Sequence, residues 1–392
     1  MDVYFDHIST TRMDARVLEE MLPFLRENFG NPSNQHHIGQ VARKGIGQAR
    51  EQVARLIGCL NSDEIIFTSS GTEANNLALK GVVLANQKKG KHIIVSSIEH
   101  FSVLHVAKSM EKMGFEVTYL PVDNYGLINP QVVEGAIRTD TVLVSIQLAN
   151  PEVGTIQPIE AISEITRAKG VLFHTDAVAA VGNLIVDVER LGVDLLSLSG
   201  HQFYGPKGSA ALFVRQGTRV TPLIEGGIQE RGRRAGTENV PEIVGLGKAS
   251  EIAMQEVNSW SSHILRLRQR FWEGITKRIA HVSLNGHPDL RLSGNLNIGI
   301  EFVEGESMLI LLDMEGIVAS SGSACTSQAL KSSHVLKAMG VEPVKAHGSL
   351  LFSLGKENTE EEIDYVLEKL PPIVKRLRAM SPLYKEKEEG DV

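Results

Sequence analysis

Several short runs in this chain carry side chains that could do chemistry, and most of them follow an apolar, β-branched stretch. Ser69-Ser-Gly-Thr-Glu-Ala-Asn-Asn76 comes after Glu64-Ile-Ile-Phe67 and opens a helical pattern. Its small residues and hydroxyls leave backbone N–H groups free at a helix start, where the dipole favours an anion. A plain helix cap accounts for the same run equally well. His100, in Ser96-Ser-Ile-Glu-His100, stands just past a predicted strand end, where α/β folds place their sites, although a lone histidine is more often structural. Asp176, in His174-Thr-Asp-Ala-Val178, follows another strand, either as a ligand-facing carboxylate or as a capping aspartate. In Ser320-Ser-Gly-Ser-Ala-Cys-Thr-Ser327 a cysteine is surrounded by glycine and small polar residues. That setting predicts an exposed loop and a Cys325 thiolate open to nucleophilic work or metal ligation. Cys59, just past a helix ending near Gly58, has no such surroundings and reads as a small hydrophobe.

The elements that must position these residues alternate along the chain. His92–Ser96, Glu116–Leu120, Thr141–Ser145, Gly170–His174, Asp194–Leu198 and Ala210–Val214 read as buried strands. Helical patterns occupy 73–89, 102–113, 130–138 and 158–168 between them. Such alternation predicts an α/β fold with a mostly parallel sheet. From about residue 257 the pattern changes to a long charged amphipathic helix, strands around 292–302 and a helix near 305–315. The expected division is a large α/β domain over 15–257 and a small α+β domain formed by 1–14 and 258–392.

Composition narrows the function classes. The 392 residues suit one large domain with a smaller companion, and 42% hydrophobic content supports a sizeable core. A formal charge of −7 gives no basic footprint for nucleic acid or an anionic membrane. No apolar stretch approaches the roughly 18 residues that span a bilayer. Met-Asp-Val-Tyr-Phe-Asp at the N-terminus has neither a basic nor an apolar leader region. Two cysteines do not make a disulfide framework, and a reducing cytoplasm is the expected location.

Ser199-Gly-His-Gln-Phe-Tyr-Gly-Pro-Lys-Gly208 resembles the cofactor-lysine segment of the cysteine desulfurases, pyridoxal-phosphate enzymes of the class V aminotransferase family. The resemblance extends from Tyr4-Phe5-Asp6 to Phe352-Ser-Leu-Gly355 and includes Gly30-Asn-Pro-Ser33, Gly154-Thr-Ile-Gln-Pro158, Gly226-Gly-Ile-Gln-Glu230 and Ser333-His-Val-Leu336. It implies the fold-type I architecture of pyridoxal-phosphate transferases and a homodimer. By the same resemblance Gly71 and Thr72 would hold the cofactor phosphate, with Ser199 and His201 completing the contacts. His100 would stack on the pyridine ring and Asp176 would keep its nitrogen protonated. Thr237 would donate a hydroxyl to the phosphate in the neighbouring subunit. Cys325 matches the family's persulfide cysteine, which removes sulfur from L-cysteine and passes it to an iron–sulfur scaffold protein.

The departures from the family pattern gather around the cofactor. Gln202 stands where the family has the lysine that holds pyridoxal phosphate as a Schiff base, and an amide can neither form that bond nor shuttle protons. Pro151 replaces an asparagine, Leu148 a histidine, Ala179 a glutamine and Leu351 an arginine that grips the substrate carboxylate. His7-Ile-Ser stands where Asn-Ala-Ala is usual. A positioned general acid–base is worth about 10²–10⁴ in rate, and an arginine–carboxylate clamp about 2–3 kcal/mol. Losing both predicts weak turnover of L-cysteine, with the cofactor bound noncovalently or absent. The leading expectation is a desulfurase-like protein that supplies or carries sulfur for iron–sulfur cluster assembly through Cys325. The alternative is a noncatalytic dimeric platform that docks the scaffold and uses Cys325 as acceptor of inorganic sulfide or as ligand to a shared cluster.

Overall fold

A computed structural model describes residues 1–321, 333–382 and 384. Its centre is a seven-stranded sheet in the order Ile65–Thr68, Ala210–Val214, Leu195–Ser199, Leu172–Asp176, Thr141–Ser145, His92–Ser96 and Glu116–Leu120. Every strand pair is parallel except those made by Ala210–Val214, which runs antiparallel to both neighbours. The central strands are buried on both faces, which is why they read as near-continuous apolar runs. A second, three-stranded antiparallel sheet joins Ser349–Ser353, Asn295–Ile300 and Val282–Leu284. Beside it Val3–Tyr4 pairs in parallel with Ile317–Val318, so the N-terminus belongs with the C-terminal elements.

Two strands begin later than the apolar pattern suggests. Gly170 takes a positive φ of 67° and ends the helix Ile159–Ala168, so the next strand is Leu172–Asp176 rather than 170–174. The following strand is Leu195–Ser199, not 194–198. Asp176 and Ser199 therefore close their strands. The helix expected over 73–89 is Gly71–Asn76 and Val82–Asn86 with a π-helical turn, Leu77–Gly81, between them.

The long helix starts earlier than its charge pattern indicates, at Val240, and runs for 39 residues to Arg278. The expected domain boundary at 257–258 thus falls inside one continuous helix. Its first turns are rich in small residues because they pack closely on the helix His37–Leu56: a Cβ on Gly247 would come within 2.6 Å of the Ala49 Cα. The last helix, Glu360–Met380, begins with a reciprocal cap between Thr359 and Glu362. Among the described residues no helix is long and apolar enough to cross a membrane.

Candidate active site

Segments leaving the carboxyl ends of the parallel strands enclose a cavity of about 500 Å³. Ser70–Thr72 come from the end of Ile65–Thr68, Glu99 and His100 from that of His92–Ser96, and Gln147–Glu152 follow Thr141–Ser145, with Leu148 left out of the lining. Asp176 ends its own strand, with Val178 and Ala179 beyond it, and His201 and Gln202 follow Leu195–Ser199. The facing wall comes from the second sheet and its surroundings, through Ile8, Ser320, Ser333 and Leu351. Ligand sites of open α/β sheets form in this place because strand ends release loops around a crevice.

A hydrogen-bonded chain ties the first group together. His100 caps the helix Phe101–Lys112, its Nδ1 accepting from the Ser102 N–H at 3.1 Å and lying 2.7 Å from the Ser102 hydroxyl. With Nδ1 accepting, the neutral ring carries its proton on Nε2. The Asn75 amide donates to the Ser102 hydroxyl at 2.8 Å and to Asp176 Oδ2 at 2.6 Å. Asp176 Oδ1 accepts from the Val178 N–H at 3.0 Å. Burial pushes this carboxyl up, against the pull of His100 and of the Val178 and Asn75 N–H groups. Gly71 is required beside it, because a Cβ there would meet Val178 Cγ2 at 2.6 Å. That close approach brings the start of the helix against the segment after Asp176.

The turn carrying Gln202 is held from several sides. Gln202 Nε2 donates to the Ile8 carbonyl at 2.8 Å, and its Oε1 has no hydrogen-bond partner. Tyr204 follows with φ at +65°, an unfavourable conformation for a side-chain-bearing residue. Its N–H donates to Thr11 Oγ1 at 2.7 Å, and Thr11 Oγ1 donates to the His201 carbonyl at 2.8 Å. Gly182, at φ +81°, leaves room for Phe203 where any Cβ would collide with it. His201 lines the cavity, with its pKa lowered by burial and by the charge of Lys207. Lys207 itself is exposed and does not line the cavity, so it does not stand in for a cofactor lysine.

Most sequence-predicted residues meet here, with corrections. Gly71, Thr72, His100, Asp176, His201 and Gln202 all line the cavity. Ser199 does not: it is buried behind Gly71, because the strand runs one residue further than expected. Thr237 is exposed and lies outside the lining of this chain's cavity. Cys325 lies outside the described residues, and among those described no cluster of His, Cys, Asp and Glu could hold a metal ion. Cys59 is buried, and burial pushes its thiol up to about 12. Of the family departures, Pro151, Ala179, Gln202 and Leu351 line the cavity. Leu148 is buried outside the lining, and His7 packs in a separate small cavity behind Gln202.

Two acidic residues were not singled out from sequence. Glu99 is fully buried, and burial pushes its carboxyl up to about 8 despite hydrogen bonds from the Ser96 hydroxyl at 2.6 Å and the Gln147 N–H at 3.0 Å. Burial likewise pushes Glu152 up to about 7, opposed by a hydrogen bond with Ser333. Each retains one buried oxygen without a partner. The available signal was a carboxylate next to a residue already flagged, His100 in one case and Pro151 in the other.

Residues 3–366 match the profile of the family described as Aminotransferase class-V. Over 381 residues the chain is 54% identical to a cysteine desulfurase IscS of Methanosarcina thermophila, covering 97% of this chain and 94% of that protein. With cysteine desulfurase IscS 1 of Archaeoglobus fulgidus it shares 51% identity over 382 residues, 97% of this chain and 99% of the relative. A solved NifS-like protein superposes with a TM-score of 0.91 at 41% identity, covering 96% of this chain and 100% of the other. The structure of SspA in complex with cysteine superposes with a TM-score of 0.81 at 37% identity, over 91% of this chain and 100% of that one.

Proposed function

This chain belongs to the class V aminotransferase family, and we propose that it is a cysteine-desulfurase-like protein that supplies or carries sulfur for iron–sulfur cluster assembly through Cys325. Pyridoxal phosphate is the cofactor that this membership brings. The residues present fit two ends of it. A buried Asp176 suits a protonated pyridine nitrogen, and Ser70–Thr72 at a helix start suit a phosphate. The cavity volume also lies in the range of small-molecule sites. The covalent end does not fit, because no lysine lines the cavity among the described residues. When bound, the cofactor supplies a sink for electrons from the substrate carbon.

The chain's own side chains do the holding. His100 offers a flat ring fixed by Ser102 for an aromatic ligand to stack on, and Asn75 orients Asp176. Leu351 offers no charge to a substrate carboxylate, and Gln202 no amine for proton transfer. Turnover of L-cysteine is accordingly weak in this reading.

One observation carries the sulfur role. Ser320 and Ser333, which bracket the segment holding Cys325, both line the same cavity. Cys325 follows Ser320 by five residues, a length of chain that reaches at most about 17 Å. Its sulfur can therefore be delivered to the cavity, while Cys59 is buried elsewhere. The second reading, a dimeric platform whose Cys325 thiolate ligates a cluster that is built from iron and inorganic sulfide and shared with a docked scaffold, is favoured by Gln202 and Leu351. In either reading the division into a large domain over 15–257 and a small one of 1–14 and 258–392 places Cys325 on the small domain, and Thr237 acts across a homodimer.

Sulfur transfer to an iron–sulfur scaffold protein tests the role, with labelled L-cysteine in one arm and labelled sulfide in the other. The Cys325→Ser variant is expected to abolish transfer while remaining a folded dimer. Transfer from L-cysteine identifies the desulfurase reading, and Cys325-dependent cluster assembly from iron and sulfide alone the platform. A serine variant that transfers as well as the parent removes Cys325 from both.

A further inference from the structure

The cavity is unusual in its charge and its unpaired atoms. Among the described residues that line it there are three carboxyls, Glu99, Glu152 and Asp176, and neither lysine nor arginine. Four of its side chains each hold a buried oxygen with no hydrogen-bond partner: Asn75 Oδ1, Glu99 Oε2, Glu152 Oε1 and Gln202 Oε1. All four residues are more than nine-tenths buried, at 1%, 0%, 5% and 8% exposure. Buried polar atoms are costly to leave unpaired; a carboxyl that holds its proton can donate with such an atom, but the amide oxygens of Asn75 and Gln202 can only accept, so these two mark donors that an occupant brings. The occupant must donate hydrogen bonds, and a positive charge suits it better than a negative one at this wall. A free α-amino acid matches poorly, since its carboxylate would face Leu351 and find no lysine or arginine among the described lining residues.

The orientation of Gln202 makes the requirement specific. Its Nε2 is committed to the Ile8 carbonyl, which fixes the amide so that the oxygen is the unpaired atom. A lysine here would present an amine to the ligand; this side chain presents an acceptor. The polarity of the contact is inverted, so the amine must come from the ligand.

We propose that this cavity selects the B6 phosphate in its amine form, pyridoxamine 5′-phosphate, with Gln202 Oε1 accepting from the ligand's ammonium group. The inference rests on the reading that the cavity holds a B6 phosphate, and it goes further by naming which form. Ser70–Thr72 would take the phosphate and Asp176 the ring nitrogen in either form. Only the amine form pairs the oxygen of Gln202.

Calorimetric titration of the ligand-free chain with pyridoxamine 5′-phosphate and with pyridoxal 5′-phosphate tests this without any assay of activity. Pyridoxamine phosphate is expected to bind at least about tenfold more tightly, the worth of one charge-assisted hydrogen bond. Gln202→Leu removes the acceptor and should erase that preference, whereas Gln202→Glu keeps an acceptor and should preserve or widen it. The glutamate variant also decides the matter if the leucine variant does not fold. Equal or tighter binding of pyridoxal phosphate overturns the proposal, as does a preference that survives Gln202→Leu or is lost in Gln202→Glu. If neither compound binds the parent chain, the B6-phosphate reading itself falls, and this inference with it.

Discussion

The two ends of the cavity differ in how completely their polar groups are tied down. At one end His100, Ser102, Asn75 and Asp176 form a continuous hydrogen-bonded chain, and Ser70 caps the helix beside them. Elsewhere in the lining Gln202, Glu99 and Glu152 each keep an unpaired oxygen, as does Asn75 at Oδ1, and Pro151, Ala179 and Leu351 offer nothing to pair them. The first arrangement is preorganised for holding a flat ring with an anionic tail. The second is arranged to receive a donor, and among the described residues it holds no lysine or arginine to react with or grip an amino acid. Holding and reacting are therefore separable in this fold, because they depend on loops from different strands.

The most severe way to break the contrast is to rebuild the reacting end. The double variant Gln202→Lys with Leu351→Arg restores an amine and a carboxylate partner, and sulfide release from L-cysteine is expected to rise by about 10²-fold or more. Borohydride reduction followed by mass spectrometry should then find a pyridoxyl adduct at position 202, where the parent has none. No rise in rate, with the adduct present, would show that Pro151 and Ala179 matter more than the two replaced side chains.

Damage to the holding end should be smaller. Asp176→Ala removes the buried carboxylate of the chain, and B6-phosphate affinity is expected to fall about ten- to a hundredfold by equilibrium dialysis. An unchanged affinity would mean that the ring nitrogen does not meet Asp176.

Glu99 sharpens the comparison through pH. Its carboxyl is pushed up to about 8 by burial, from an ordinary value of 4.5. Between those values the folded protein holds a proton that the unfolded chain has released, so stability falls as pH rises through this window. Glu99→Gln removes that penalty. The variant should gain on the parent by on the order of 4 kcal/mol in going from about pH 5 to about pH 9. Chemical denaturation at the two values measures it, and an equal difference at both would mean that Glu99 is already ionised in the fold.

The smallest effect concerns cofactor-independent packing. Gly182→Ala puts a Cβ against Phe203 at a positive φ and should cost about 1–3 kcal/mol, seen as a Tm lower by several degrees. Because Phe203 follows Gln202, binding should weaken along with stability. A variant as stable as the parent would show that this turn can shift without cost.

Much of this was legible in residue order. The β-branched runs located the strands to within two residues, and the polar residues after them located most of the cavity wall. The long helix was harder to place, because Gly245 and Gly247 weaken the helical pattern in its first turns while serving close contact with other helices. Ser199, at the end of its strand, lies buried behind Gly71, which residue order alone did not indicate.

Sequence by itself determined the family, the α/β order, the glutamine at 202 and the neutral Leu351, because these are matters of residue identity and short-range pattern. Tertiary structure alone decided that Glu99, Glu152, Asn75 and Gln202 share one cavity and that each keeps an unpaired oxygen. Those residues are spread from position 75 to 202 and meet only where separate parallel strands end side by side. Whether a buried oxygen finds a donor depends on what every neighbouring loop places within about 3 Å of it, and no local pattern encodes that.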